Sequence, residues 1–514
     1  MKGDGCGAVR LTDNPERSYG SQVWFRHLIP LLAAATTAAV ASAGIADRLQ
    51  PSQLVYLGAF RLPPVMSDSP AVWEWGGGAM TFYPAGDPAG GSDGFPGSLF
   101  LTGLDSENWV SEIGIPAPSL SRDVEELPEA VTLQPLADVR GGLFATFTEL
   151  PRVGLEYLPA QAGQQAGVLH LAWGQHYHED PGVTIAPTHG WCDLDLAHPD
   201  TQGPWWIGTA AENEAGFIYS VNDYLFTIPD AWADTHTGGR RLATGRFRDG
   251  GWSGMGPSLI AYGPWLDEDP SGTPPPANAE LSHVPLILYS STLGNEGHRL
   301  AAYSNADAWT GGAWITSGSR SAVVFAGTKG SGYTWYGFYT PEGVHPPPLF
   351  GEGAPCVYTV GDIMCVRPDG ETACTQEDMA PCLGAPTLAA SRGWWASRFD
   401  AVLMFYDPDD LASVAAGSLG PYEPQPYAMF EIDEHLFLNA AMPDVAMYNG
   451  YGDQRKGRLG AVAFDRGNGL LYVLEQFADE YRPLVHVWKV QGSPAAQGRP
   501  PARVRGRARP ARVR

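Results

Sequence analysis

Four of the chain's twelve histidines fall between Gly154 and Leu196. His176 and His178 alternate, so in an extended run both side chains leave from one face. Glu179, Asp180 and His189 follow within one loop. Imidazoles grouped in this way suit a divalent metal such as Zn or Mn, or Fe, with His176, His178 and His189 as the ligands. The same group suits a base that abstracts a proton beside a uronate carboxylate, a role for His176. Arg248 and Lys329 would then neutralise that carboxylate. The plain alternative is a polar loop whose histidines stack or hydrogen-bond. Glu74, Glu156 and Asp223 form a second set, each placed at the entry to an apolar run. Two carboxyls suffice for glycoside hydrolysis, one as proton donor and one as base or nucleophile. Trp75, Tyr157 and Trp252 offer faces on which a sugar ring packs. Taken singly, each acid reads first as a solvated turn residue or a cap; taken jointly, that reading is weaker.

The elements that must hold these residues are short strands. Runs of four to nine residues, rich in aromatic and β-branched types and bounded by Gly, Pro or Asp, recur in one order. Five units can be written. Their first runs are Gly76–Tyr83, Gly154–Leu158, Val221–Ile228, Ala308–Thr316 and Leu459–Asp465. The second runs are Ser98–Leu104, Gly167–Gln175, Arg241–Phe247, Ser321–Thr328 and Gly469–Gln476; the third include Val110–Ile115 and Trp191–Leu196. The fifth unit lacks a fourth run, and one is free at the other end of the body, Leu54–Arg61. An open ring would leave strand edges bare, so the N-terminal run is expected to close the last unit. The fold class expected is all-β: a β-propeller of five blades, with six or seven blades or an inserted two-sheet sandwich as the alternatives. The unit lengths are too uneven for regular WD40 or kelch repeats. Helices are expected only at Asp230–His236 and Pro408–Gly417, the second capped near Asp409 or Asp410. Residues 265–280 and 340–397 read as loop insertions.

In such a ring the first runs begin at the channel mouth, and the loops between second and third runs lie on the same face. Glu74-Trp75, Glu156-Tyr157, Asn222-Asp223, Asn305 to Asp307 and Arg455 to Arg458 are therefore expected there. Facing them would be Asp105 to Trp109, His176 to Trp191, Arg248 to Trp252, Lys329 to Tyr336 and Glu475 to Tyr481.

Charge and cysteine usage narrow the setting. The net charge is −24; residues 1–43 contribute +1 and residues 491–514 contribute +7, which leaves −32 on residues 44–490. A body so acidic repels phosphate backbones, so nucleic acid is excluded as its partner. Arg26-His27, the apolar run Leu28–Val40 and Ala41-Ser42-Ala43 have the order of a signal peptide, which predicts a mature start near Gly44 and a secreted or periplasmic protein. The run is too short to span a bilayer comfortably, and no other approaches that length. Cys356, Cys365, Cys374 and Cys382 stand within 27 residues. Two local disulfides of open connectivity are expected, with zinc as the competing reading. Cys192 alternates with Asp193 and Asp195, which points its thiol inward. The arginine-rich tail from Gln491 has no apolar periodicity and is expected to be disordered.

Several motifs carry a resemblance: GAFRLP at Gly58–Pro63, then GLEYLP, WGQH, THGW, RFRDGGWSG and FYDPDDL, and a closing PLVHVW at Pro483–Trp488. Together they resemble a family of secreted bacterial β-propeller-like proteins. The resemblance covers most of residues 44–490, implies a single folding unit, and brings no activity with it. Five-bladed propellers as a class resemble enzymes that cleave or transfer glycosides, an analogy of fold alone. No P-loop, dinucleotide fingerprint, EF-hand loop or H-E-x-x-H helix occurs. The expected function is action on an extracellular carbohydrate polymer, by hydrolysis or by elimination at a uronate, in a monomer. A non-catalytic sugar- or surface-binding propeller is the alternative.

Overall fold

A computed structural model describes residues 48–64, 72–87, 90–145, 147, 152–161, 164–175, 185–214, 220–247, 254–263, 274–289, 298–337, 393–439, 449–450 and 452–492. The strands form five antiparallel sheets, and the molecule is a five-bladed β-propeller. Blade one is β2 (Met80–Tyr83), β3 (Ser98–Thr102), β4 (Val110–Gly114) and β5 (Thr132–Ala137). Blade two is β6 (Arg152–Leu158), β7 (Val168–Gly174), β8 (His189–Cys192) and β9 (Gln202–Ile207), and β13 (Glu280–Leu281) adds to it in parallel. Blade three is β10 (Tyr224–Thr227), β11 (Leu242–Gly245), β12 (Leu259–Tyr262) and β14 (His283–Ile287). Blade four is β15 (Ala308–Ser317), β16 (Arg320–Gly337), β17 (Gly393–Tyr406) and β18 (Ala428–Glu431). Blade five is β19 (Leu459–Asp465), β20 (Leu470–Asp479) and β21 (Arg482–Val490), completed by β1 (Leu54–Arg61).

The closure is the one the orphan N-terminal run required. β1 runs antiparallel to β21, from Leu54 opposite Val490 to Arg61 opposite Leu484. The first strands then pack in a ring: β2 on β6, β6 on β10, β10 on β15, β15 on β19, and β19 back on β2. The apolar core is divided by the same geometry into one main cluster per junction. Trp309, Trp314 and Phe325 pack with Tyr224 and Leu259 between blades three and four. Phe60, Leu101, Tyr472 and Val485 join blades five and one.

Five strands leave a narrow axis, and glycines meet there. A Cβ on Gly460 would stand 2.4 Å from the Gly77 carbonyl oxygen, and one on Gly311 2.7 Å from that of Gly460. Larger residues at these places would push the ring open.

Several boundaries differ from expectation. The third strand of blade two is His189–Cys192, not Trp191–Leu196, so His189 belongs to a strand and not to a loop. Residues 393–397, expected in a loop, are the start of β17, which pairs with β16 well beyond the end of β15. Glu280 of the other expected insertion is strand. The helix Pro408–Ala415 is capped by Asp407, whose carboxylate accepts from the Asp409 amide, not by Asp409 or Asp410. A short helix, Ala210–Glu214, was not foreseen. Cys192 is a buried free thiol, as its alternation implied. Cys356, Cys365, Cys374 and Cys382, the signal-like segment and the tail beyond Gly492 lie outside the described residues. No helix among the described residues is long and apolar enough to cross a membrane.

Candidate functional site

The first strands all begin at one end of the channel, and a cavity of about 310 Å³ opens there. Every blade contributes to its wall: Trp75, Gly78, Asp105 and Asn108 from blade one, Val153 from blade two, Asp223 from blade three and Thr310 from blade four. Asn449, Gln476 and Phe477 complete it from the blade-five side. Among the described residues the wall thus holds two carboxyls, three amides, one hydroxyl and two aromatic rings, and none of them is basic.

The backbone under this wall is unusual. Ten non-glycine residues among those described have positive φ, and three of them line the cavity: Trp75 at 61°, Asn108 at 51° and Phe477 at 57°. A fourth, Asn222 at 81°, directly precedes Asp223. Asparagine enters this region at little cost, but Trp and Phe do so only when the surroundings hold them. Here the Trp75 amide donates to the Tyr481 carbonyl at 2.9 Å. Its ring stacks on Tyr481 at 6.0 Å and meets Phe477 edge-on at 5.1 Å. Arg455 fixes the other side, donating from Nη2 to the Gln476 and Phe477 carbonyls at 3.1 and 3.2 Å.

The two carboxyls differ in setting. Asp223 is buried; its Oδ2 accepts from the Phe247 amide at 2.9 Å, and its Oδ1 lies 4.0 Å from the buried Arg246 Nε. Asp105 sits in the loop after β3, where Asn108 Nδ2 donates to its carbonyl at 2.7 Å. Burial at the cavity pushes the Asp105 carboxyl above its ordinary range, against the opposing pull of the Ser106 amide.

Below the cavity the channel narrows to a waist lined by Gly78, Gly154, Gly311, Gly312, Leu155 and Val462, with about 10 Å³ of free space. That is room for about one water. Glu156 lies beyond the waist, toward the ends of the first strands, and this corrects its expected place at the mouth. Its Oε2 accepts from Thr81 Oγ1 at 2.7 Å and its Oε1 from the Thr227 amide at 2.9 Å. It thereby ties blades one, two and three. Arg466 reaches in from blade five to donate to the Thr227 carbonyl at 3.2 Å. Glu156 is half-buried, and burial pushes its pKa up to about 7. Tyr157 is likewise not at the mouth: it packs edge-on against Tyr83 at 4.8 Å.

The expected metal group also changes. His189 is fully buried, with Thr188 Oγ1 at 2.9 Å from Nδ1 and Thr244 Oγ1 at 3.0 Å from Nε2. With both ring nitrogens engaged, and burial pushing its pKa down to about 3, it does not fit the role of ligand. His170, the fourth histidine of this region, is buried against Gln164 and pushed down equally far. Among the described residues no group of three His, Cys, Asp or Glu is arranged to hold a metal ion. Lys329 is not available to a substrate carboxylate, because its amine lies 2.9 Å from both Asp307 oxygens and 2.7 Å from the Ala302 carbonyl. Glu74 is exposed one residue before Trp75 and does not line the cavity. His176, His178, Arg248 and Trp252 lie outside the described residues.

Of the expected site residues, the structure therefore brings together Trp75 and Asp223. Asp105, Asn108, Gln476 and Phe477 were legible only as members of the loops between second and third strands. Asn449 belongs to no expected loop and had no signal. No protein-family model matches the chain, and no curated protein sequence is significantly similar to it.

Proposed function

We propose that the channel-mouth cavity binds a neutral sugar unit of an extracellular polysaccharide, and that Asp105 and Asp223 act on its glycosidic bond. The observation that carries this reading is the pair of aromatic residues, Trp75 and Phe477, held in left-handed backbone at the cavity wall. Strain of this kind costs on the order of 1–3 kcal/mol per residue and collects where a binding geometry requires it. Ring faces beside amides and carboxyls match the alternating apolar faces and hydroxyl edges of a pyranose. Asp105, with its carboxyl pushed upward, suits the proton donor, and Asp223 suits the base or nucleophile. A uronate is a poorer fit to the described residues, whose wall brings no cation to meet its carboxylate, with Lys329 committed to Asp307. This favours hydrolysis over elimination.

The test is a panel of neutral and uronic polysaccharides, assayed for binding by the secreted full chain and for release of reducing ends. Trp75→Ala should weaken binding of a neutral glycan at least about tenfold. Asp105→Asn and Asp223→Asn should keep binding and lose reducing-end release by about 100-fold or more. Binding without release in the wild type would make the protein a sugar-binding module. Failure to bind any neutral glycan, or indifference to Trp75→Ala, would end the proposal.

A further inference from the structure

Only four of the 32 basic residues are lysines, at positions 2, 329, 456 and 489. Lys329 and Lys489 each have oxygen partners for the amine: Asp307 with Ala302, and the Asn468 carbonyl. Lys456 has a ring instead. Its Nζ stands 4.0 Å from the centroid of Trp395, a fully buried residue of β17 opposite Trp335 of β16. Among the described residues no carboxylate lies within salt-bridge reach of this amine. Lys456 also stands directly behind the cavity wall: its backbone amide donates to the carbonyl of Asn449 at 2.7 Å. The chain at Gly450 lies against the Trp395 ring, where an added Cβ would stand 2.9 Å from it.

An ammonium ion is compact and strongly hydrated, so a half-buried site with no counterion among the described residues suits it poorly. Burial pushes the Lys456 amine down to about 8. At pH 7 roughly a tenth of it is then neutral, against about one part in a few thousand for an ordinary exposed lysine. An indole face attracts cations, and does so best when they carry little water. An iminium ion meets both conditions, since its charge is spread over carbon and nitrogen and it is more weakly hydrated than an ammonium.

We propose that Lys456 is a carbonyl-capturing site, taking small aldehydes, including the open-chain form of a reducing sugar, as an imine over Trp395. The neutral amine adds its lone pair to the carbonyl carbon to form a carbinolamine. The C–O bond then breaks, the oxygen leaves as water with both amine hydrogens, and a C=N bond remains. Its protonated form rests on the indole face. The assignment stands apart from the glycan reading, because it needs neither Asp105 nor Asp223.

The experiment uses the full chain at pH 7 with limiting glycolaldehyde and cyanoborohydride, which reduces the imine to a stable amine, followed by peptide mapping. Lys456 should be labelled at least about tenfold faster than Lys489 or Lys329. Trp395→Phe should keep much of that preference, and Trp395→Leu should reduce it to within about threefold of Lys489. Labelling of Lys456 no faster than Lys489, or full selectivity in Trp395→Leu, would overturn the proposal. If Trp395→Leu does not fold, the wild-type labelling rate against pH decides. An inflection near 8 supports the site, and one above 10 refutes it.

Discussion

Asp223 and Glu156 are both carboxylates at the central channel, and the two ends of the channel use them differently. At the upper end Asp223 is held from behind by the Phe247 amide and faces a cavity of about 310 Å³. At the lower end Glu156 binds Thr81 and the Thr227 amide, with Arg466 laid across from the opposite blade. The upper wall also contains aromatic residues in a backbone region they avoid, whereas none of the positive-φ non-glycine residues falls among the lower-end ties. One mouth carries a cost in local conformation where its groups face the cavity. The other uses the same residue types to close a ring.

The largest expected effect removes the contrast altogether. Deleting Leu54–Arg61 strips blade five of its outer strand and exposes the edge of β21. The chain should then fail to fold, seen as loss of the cooperative denaturation transition. A soluble, cooperative product that still binds ligand would show that the ring closes without its N-terminal strand.

Glu156→Ala breaks the lower mouth alone. It leaves the Thr227 amide and Thr81 hydroxyl without their acceptor between three blades, and should cost about 2–4 kcal/mol in urea denaturation. Glycan affinity, measured where the variant is fully folded, should stay within about twofold, because the waist separates the two ends. A large loss of affinity would mean that the mouths are coupled.

The contrast between the ends also explains what could be read beforehand. Blade number and closure were legible because period-2 runs and the orphan Leu54–Arg61 depend on local pattern and strand pairing. The placement of Glu156 was not. A carboxylate at the start of a strand and one five residues into it look alike until the tilt and pairing of the strand are known. His189 failed for a related reason: moving the start of β8 two residues upstream carried it from loop into core, where Thr188 and Thr244 enclose it. The strained Trp75 and Phe477 carry no sequence mark, since neither is a residue type that announces left-handed backbone.

The pH dependence of stability separates three groups whose ionisation the fold disfavours. His170 and His189 are pushed down to about 3, below the ordinary histidine value near 6.5. The unfolded chain therefore takes up protons first, and their contribution is complete above about pH 6.5 and lost as pH falls toward 3. Glu156 has the opposite sign. Its folded value near 7 lies above the ordinary carboxyl range, so its contribution is complete below about pH 4.5 and lost as pH rises through 7. Urea titrations should show wild type losing stability in acid, and Glu156→Gln should gain on it above pH 7 by about 1–3 kcal/mol. Equal stability of the two proteins at pH 8 would mean that Glu156 holds no excess proton in the fold.

The smallest effect bears on whether the strain at the upper mouth serves binding or merely a turn. Glu480 has φ of 55° in the hairpin between β20 and β21, is exposed, and directly precedes Tyr481, on which Trp75 stacks. Replacing it with glycine removes the left-handed penalty of roughly 1–2 kcal/mol and adds about 0.5–1 kcal/mol of unfolded-chain entropy. Glu480→Gly should therefore stabilise by about 0.5 kcal/mol and leave glycan affinity unchanged, because no atom of Glu480 lines the cavity. Trp75→Gly relieves the same kind of backbone strain but removes the ring, its contact with Tyr481 and the sugar platform. It should lose affinity at least about tenfold whatever its stability becomes. If Glu480→Gly weakens binding as much as Trp75→Gly does, the hairpin geometry is what the ligand senses, and Trp75 is only its packing partner.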